Sequence, residues 1–127
     1  QLDNSLKSNP QVINLEGINA REGLSIPEIL DGAVCDLSFI SLKKVLPNIR
    51  KVIDQNGFIL CLYKPQFEVG RELLGKNGIV PSDLAIQSSE NFKTWLREQN
   101  FVVKAVLKCD LVGKAGNSEF FYLLKMM

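Results

Sequence analysis

With 127 residues, 46% of them hydrophobic, the chain is long enough for one packed core and too apolar for a disordered tail. Its 15 basic and 14 acidic residues leave a formal charge of +1, so any hold on nucleic acid has to come from a local patch or another domain. Histidine is absent, which excludes Ser-His-Asp triads, Cys-His dyads and histidine metal sites; acid–base work falls to Asp, Glu, Lys, Tyr or Cys.

Residues 12–16, Val12-Ile13-Asn14-Leu15-Glu16, read as a short strand, followed by a loop over 17–23. Ser25-Ile26-Pro27-Glu28 has the form of a helix start: a serine cap, a proline in the first turn and a glutamate three residues on. A second strand is expected over 33–37. Apolar residues at Leu42, Val45, Leu46, Ile49, Val52 and Ile53 follow a helical period over 40–53, with Pro47 as a kink or tight start and Asn56-Gly57 as the stop. Residues 57–63 form a third strand, and 68–80 a loop carrying Gly70, Gly75 and Gly78. Pro81-Ser82-Asp83 opens a helix that runs to about residue 100, with Phe92 and Trp95 at core spacing. Strands over 101–107 and 119–124 close the chain, joined by a polar loop containing Gly113 and Gly116. That loop is too glycine-rich for a crossover helix, so the last two strands are expected to pair antiparallel, giving an α/β domain with one reversed strand. Lys43, Lys44, Arg50 and Lys51 read as the solvated face of their helix.

Cys35, Cys61 and Cys109 have no CxxC spacing, and an odd count closes no disulfide framework. Two of them lie in apolar runs as small hydrophobes, which points to a reducing, cytoplasmic compartment. No signal peptide or long apolar span supports secretion or membrane insertion, and no metal site is expected.

Three ionisable residues fall at strand ends: Asp36, Lys64 and Glu119. In a sheet whose final strand runs backwards, the start of that strand meets the carboxyl ends of the parallel strands. All three then face one crevice, where open α/β sheets place their ligands. An Asp–Lys–Glu cluster there is suited to proton handling; the competing reading is a structural ion-pair network.

The ordered set Asp36-Leu37-Ser38-Phe39-Ile40-Ser41-Leu42, Lys64-Pro65-Gln66-Phe67-Glu68-Val69-Gly70-Arg71-Glu72 and Gly116-Asn117-Ser118-Glu119-Phe120-Phe121, with Asn19-Ala20-Arg21 before it, resembles the TlyA hemolysin-like proteins. These belong to the wider FtsJ-like RNA 2′-O-methyltransferases. The resemblance runs over nearly the whole chain, and the Lys64 block is its most specific part. It implies a Rossmann-like sheet with a reversed strand near one edge, S-adenosylmethionine as cofactor, and RNA, specifically ribosomal RNA, as partner. Asp36, Lys64 and Glu119 match the last three members of the family's Lys-Asp-Lys-Glu catalytic set. Lys64 is the implied acceptor of a ribose 2′-hydroxyl proton, oriented by Asp36 and Glu119. A ribose hydroxyl is a poor nucleophile and needs a base at close range, which suits these residue types. Asn19, Ala20 and Asp36 fall on the adenine side of the implied cofactor pocket. Arg71 and Lys76, in the glycine-bearing loop, are the candidate RNA contacts.

The resemblance places the glycine-rich cofactor loop, the first catalytic lysine, the first two strands and a small basic RNA-binding domain before Gln1. The expectation is that residues 1–127 are a partial methyltransferase domain, an incomplete sheet that is inactive alone and self-associates through exposed strand edges. The alternatives are a membrane-active hemolysin, as the family name has it, and a non-catalytic RNA-associated module.

Overall fold

The computed structural model describes residues 2–109 and 116–127. Gly113, in the loop before the last strand, lies outside the described residues, as does Gln1. A one-turn helix α1 (Asn4–Lys7) precedes strand β1 (Leu30–Cys35), helix α2 (Leu42–Arg50), strand β2 (Ile53–Tyr63), helix α3 (Ser82–Glu98) and strands β3 (Phe101–Lys108) and β4 (Phe120–Met126). The sheet order is β1-β2-β4-β3. β1 and β2 run parallel, and β4 runs antiparallel to both β2 and β3, so the expected reversed strand sits one place in from the edge.

Helices α2 and α3 cover one face of the sheet. Along β2, Ile59, Cys61 and Tyr63 are buried; along β4, so are Phe120, Tyr122 and Leu124. They meet Val45, Leu46 and Ile49 of α2 and Ala85, Phe92 and Leu96 of α3. The period-2 alternation of the strands and the 3.6-residue period of the helices bring these side chains together. Phe92 sits at the centre, stacked on Tyr63 with centroids 4.6 Å apart and edge-on to Tyr122 at 5.0 Å. The tyrosine hydroxyls remain satisfied although buried: Tyr63 donates to the Ser88 carbonyl at 3.1 Å and Tyr122 to the Ser89 carbonyl at 2.7 Å. Trp95 packs at the core margin under the Lys43 ammonium, 5.9 Å from its ring centre.

Four expectations need correction. Residues 12–16 form no strand: Ile13 and Leu15 are 76% and 55% exposed, and alternation cannot make a strand where no neighbour offers a ladder. Residues 25–28 form no helix; a proline disfavours the helical conformation in the residue before it, and too few residues remain before β1 to complete a stable turn. Asn56-Gly57 does not stop α2, which ends at Arg50; both residues lie inside β2, and Pro47 lies inside the helix itself. Arg50 is not simply solvated, because its guanidinium lies 3.6 Å from the centre of the Phe101 ring and burial lowers its pKa.

Gly57 is required by packing. A Cβ there would fall 2.6 Å from the Asp31 carbonyl oxygen and 3.0 Å from that of Asp54, both backbone atoms with little room to yield. Gly57→Ala is therefore expected to destabilise the domain by about 1–3 kcal/mol. A thermal melt superimposable on the wild type would show that the strand can yield.

Candidate active site

The carboxyl ends of β1 and β2 and the start of β4 meet at one edge, because Cys35 is level with Cys61 and Tyr63 with Phe120. Asp36 follows β1, Lys64 follows β2 and Glu119 precedes β4, so the topology delivers all three side chains to this edge. Lys64 Nζ lies 2.6 Å from Asp36 Oδ1 and 3.5 Å from Ser38 Oγ. Asp36 is open to solvent, whereas the Lys64 side chain is only 14% exposed. Glu119 is buried and accepts a hydrogen bond from Gln66 Nε2 at 3.0 Å. Lys64 and Glu119 line one cleft of about 610 Å³, together with Phe39, Gln66, Gly78 and Asn117.

The loop after β2 holds this arrangement. Pro65–Phe67 form a single 3₁₀ turn with Lys64 as its cap, and proline fixes φ at the first position. Glu68 then reaches back to α2, accepting from Ser41 Oγ at 2.6 Å and from the Leu42 N–H at 2.8 Å. Burial pushes the Glu68 carboxyl above its ordinary pKa, while those hydrogen bonds and the Lys43 ammonium pull it back. On the facing loop Phe39 has φ 63°, a left-handed conformation uncommon for a non-glycine residue, and the residue is 89% exposed. It meets Phe67 with centroids 4.9 Å apart.

The other predicted residues lie around this centre. Asn19 caps the 3₁₀ turn Ala20–Glu22, accepting from the Arg21 N–H at 3.0 Å. Asn48 of α2 donates to the carbonyls of Ala20 and Arg21 at 2.9 and 3.0 Å, pinning that turn to the helix. Asn19 borders a polar hollow of about 500 Å³ with Arg21, Ser38, Phe39 and Lys44. Ala20 and Asp36 border a second hollow along β1. Arg71 is exposed and borders a hollow with Phe39 and Phe67; Lys76 is exposed in the turn Lys76–Gly78 and does not line the Lys64 cleft, although Asn77 and Gly78 do.

Three site residues were not singled out from sequence, though all lie in the quoted blocks. Gln66 orients Glu119, and its own Oε1 is buried with no partner among the described residues. Asn117, 1% exposed, accepts from the Val80 N–H at 2.8 Å and donates to the Gly78 carbonyl at 3.1 Å, closing one wall of the cleft. Glu68 is the third. Polar residues clustered immediately after or before an apolar strand were the available signal.

The FtsJ-like methyltransferase family model matches residues 1–126. The 16S/23S rRNA (cytidine-2′-O)-methyltransferase TlyA of Mycobacterium tuberculosis is 38% identical over 130 residues, which cover 98% of this chain and 48% of that protein. The 23S rRNA (cytidine-2′-O)-methyltransferase TlyA of Campylobacter jejuni is 35% identical over 124 residues, covering 96% and 48%. A solved structure of a hemolysin-named protein from Streptococcus thermophilus has a TM-score of 0.92 at 33% identity, covering all of this chain and 47% of its own. The chain spans about half the length of the curated relatives it matches.

Proposed function

The chain belongs to the FtsJ-like methyltransferase family, and on that premise we propose that it forms the ribose-facing part of an S-adenosylmethionine-dependent ribosomal RNA 2′-O-methyltransferase. The observation that carries this reading is the 2.6 Å pair between Lys64 and Asp36 at a cleft that also holds Glu119. Lys64 in its neutral form accepts the proton of a ribose 2′-hydroxyl at Nζ, raising the nucleophilicity of that oxygen. Asp36 fixes the amine by its hydrogen bond, and Glu119, held by Gln66, faces the same space and orients the nucleotide.

The residues fit the adenosine side of the cofactor. Among the described residues Asn19 uses only its oxygen, in the local turn, which leaves its amide NH₂ for a ring nitrogen. Ala20 offers a small wall, and the exposed Asp36 carboxylate has acceptor capacity beyond its bond to Lys64. When bound, S-adenosylmethionine supplies the electrophilic methyl group. Arg71 and Lys76 give the rim positive charge for RNA phosphates, and the exposed face of Phe39 offers a stacking surface for a base. An enzyme that acts on ribosomal RNA is expected in the cytoplasm.

The test is methyl transfer from labelled S-adenosylmethionine to ribosomal RNA by the full-length protein. Label is expected on a ribose, where it blocks alkaline cleavage of the neighbouring phosphodiester. Failure to label ribosomal RNA purified from cells lacking the protein overturns the reading.

The hemolysin reading rests on names, including Hemolysin A of Brachyspira hyodysenteriae, 36% identical over 87 residues. Among the described residues no helix is long and apolar enough to cross a membrane. Purified protein is expected to leave dye-loaded vesicles intact, and dye release would favour the lytic reading.

A further inference from the structure

We propose that Glu68 is a positioning residue that locks the Lys64 loop to the Asp36 loop and so sets the geometry of the Asp36–Lys64 pair. The proposal rests on the methyltransferase reading for its catalytic consequence, though not for the latch itself.

The argument begins with the cap of α2. Ser41 is the N-cap, and its Oγ accepts from the Lys43 N–H at 3.1 Å. In a self-contained capping box the residue three positions on is Glu or Gln and reaches back to the cap. Here that position is Lys44, which has no acceptor to offer. The missing acid comes instead from Glu68, 27 residues away along the chain from Ser41. Its two carboxylate oxygens serve two different donors, Ser41 Oγ and the Leu42 N–H. A carboxylate is favoured at a helix N-terminus, and the two donors offset part of the penalty that burial puts on its charge.

Each partner sits just beyond a proposed catalytic residue. Glu68 is separated from Lys64 only by the Pro65–Phe67 turn, and its own N–H closes that turn onto the Pro65 carbonyl at 3.0 Å. Ser41 is separated from Asp36 by the segment in which Phe39 holds a positive φ. The two loops are therefore joined at the rim, by Lys64–Asp36 and Phe39–Phe67, and at the base, by Glu68 with Ser41 and Leu42. Each rim contact has one partner open to solvent, Asp36 or Phe39, which weakens it; the base contact is partly buried and charge-assisted, and so is the stronger constraint.

The test compares Glu68→Ala, Glu68→Gln and Ser41→Ala. Glutamine keeps an acceptor for the Leu42 N–H and can donate to Ser41 Oγ in the reverse sense; alanine keeps neither. In the full-length protein without RNA or cofactor, trace acetylation with acetic anhydride reads the accessibility of the Lys64 amine against the exposed Lys104. Glu68→Ala is expected to raise relative Lys64 labelling severalfold, Ser41→Ala to raise it less, and Glu68→Gln to leave it near wild type. In the full-length enzyme, well below the melting temperature of each variant, Glu68→Ala is expected to lower kcat by about 10–100-fold with KM for RNA unchanged, and Glu68→Gln to recover most of it. A cap that served stability alone would shift melting and leave both readouts at wild-type values. That result overturns the proposal, as does a glutamine variant no better than alanine. Should Glu68→Ala not fold, Ser41→Ala decides: unchanged Lys64 labelling rejects the latch. Absence of methyl transfer in the wild type would instead count against the methyltransferase reading, while the labelling still judges the latch.

Discussion

Lys64→Ala in the full-length enzyme is expected to lower methyl transfer by about 10²–10⁴-fold, the usual worth of a positioned general base. Folding should scarcely change. The Lys64–Asp36 pair is half open to water, since the Asp36 side chain is 68% exposed, and such pairs contribute about 0–1 kcal/mol. Lys64→Arg separates proton acceptance from simple charge. Arginine keeps the positive charge and can still pair with Asp36, but it stays protonated and cannot accept a proton. If Lys64 is the base, Lys64→Arg falls nearly as far as Lys64→Ala; if it only holds charge against the RNA, Lys64→Arg retains most of the activity. Single-turnover methylation at saturating RNA and cofactor measures this. An alanine variant within a few-fold of wild type would remove Lys64 from the chemistry.

How much was legible in the sequence varied with the kind of signal. The buried strands read well: Phe58-Ile59-Leu60-Cys61-Leu62-Tyr63 is apolar enough to be a strand in almost any context, and it is the inner part of β2. The antiparallel final pair followed from loop chemistry, and β3 and β4 pair that way. Strand ends then located Asp36, Lys64 and Glu119, since a reversed last strand forces its start to the same edge. Several of the failures depend on a distant partner. Residues 12–16 have the alternation of a strand but no ladder to join. Gly57 looked like a helix stop because glycine often is one; its actual requirement is the approach of the Asp31 carbonyl, a contact no local pattern encodes. Glu68 and Asn117 lie within the motifs, but no local pattern marks their roles, because their bonds reach Ser41, Leu42, Gly78 and Val80 far along the chain.

Asn117 is expected to carry a large stability effect for a polar side chain. Its amide serves two backbone groups at once, taking the Val80 N–H and giving to the Gly78 carbonyl, at a position 1% exposed. Asn117→Ala leaves both without partners. An unsatisfied buried group costs about 1–3 kcal/mol, and the Gly78 carbonyl is only partly buried, so the total is about 2–4 kcal/mol. That is a large share of a marginal domain's stability and lowers Tm by roughly 10 °C. Asn117→Asp makes the cause separable from lost packing. The aspartate keeps the acceptor for Val80 but turns a negative oxygen toward the Gly78 carbonyl, so at neutral pH the variant is expected to be no more stable than Asn117→Ala. In acid the neutral carboxyl can donate to Gly78, restoring the second bond. The introduced group therefore has a folded pKa above its unfolded one. Its bound proton stabilises the fold fully below the ordinary aspartate range, and that stability is lost as pH rises toward the folded pKa. The Asp variant should gain on the Ala variant as pH falls. Denaturant melts of all three proteins at neutral and acidic pH measure this, and an alanine variant within about 0.5 kcal/mol of wild type would show that the clamp contributes nothing. The same clamp fixes the residue two before Glu119 and the cleft wall at Gly78, so a destabilised Asn117 variant should also lose methyl transfer in the full-length enzyme at temperatures where it remains folded.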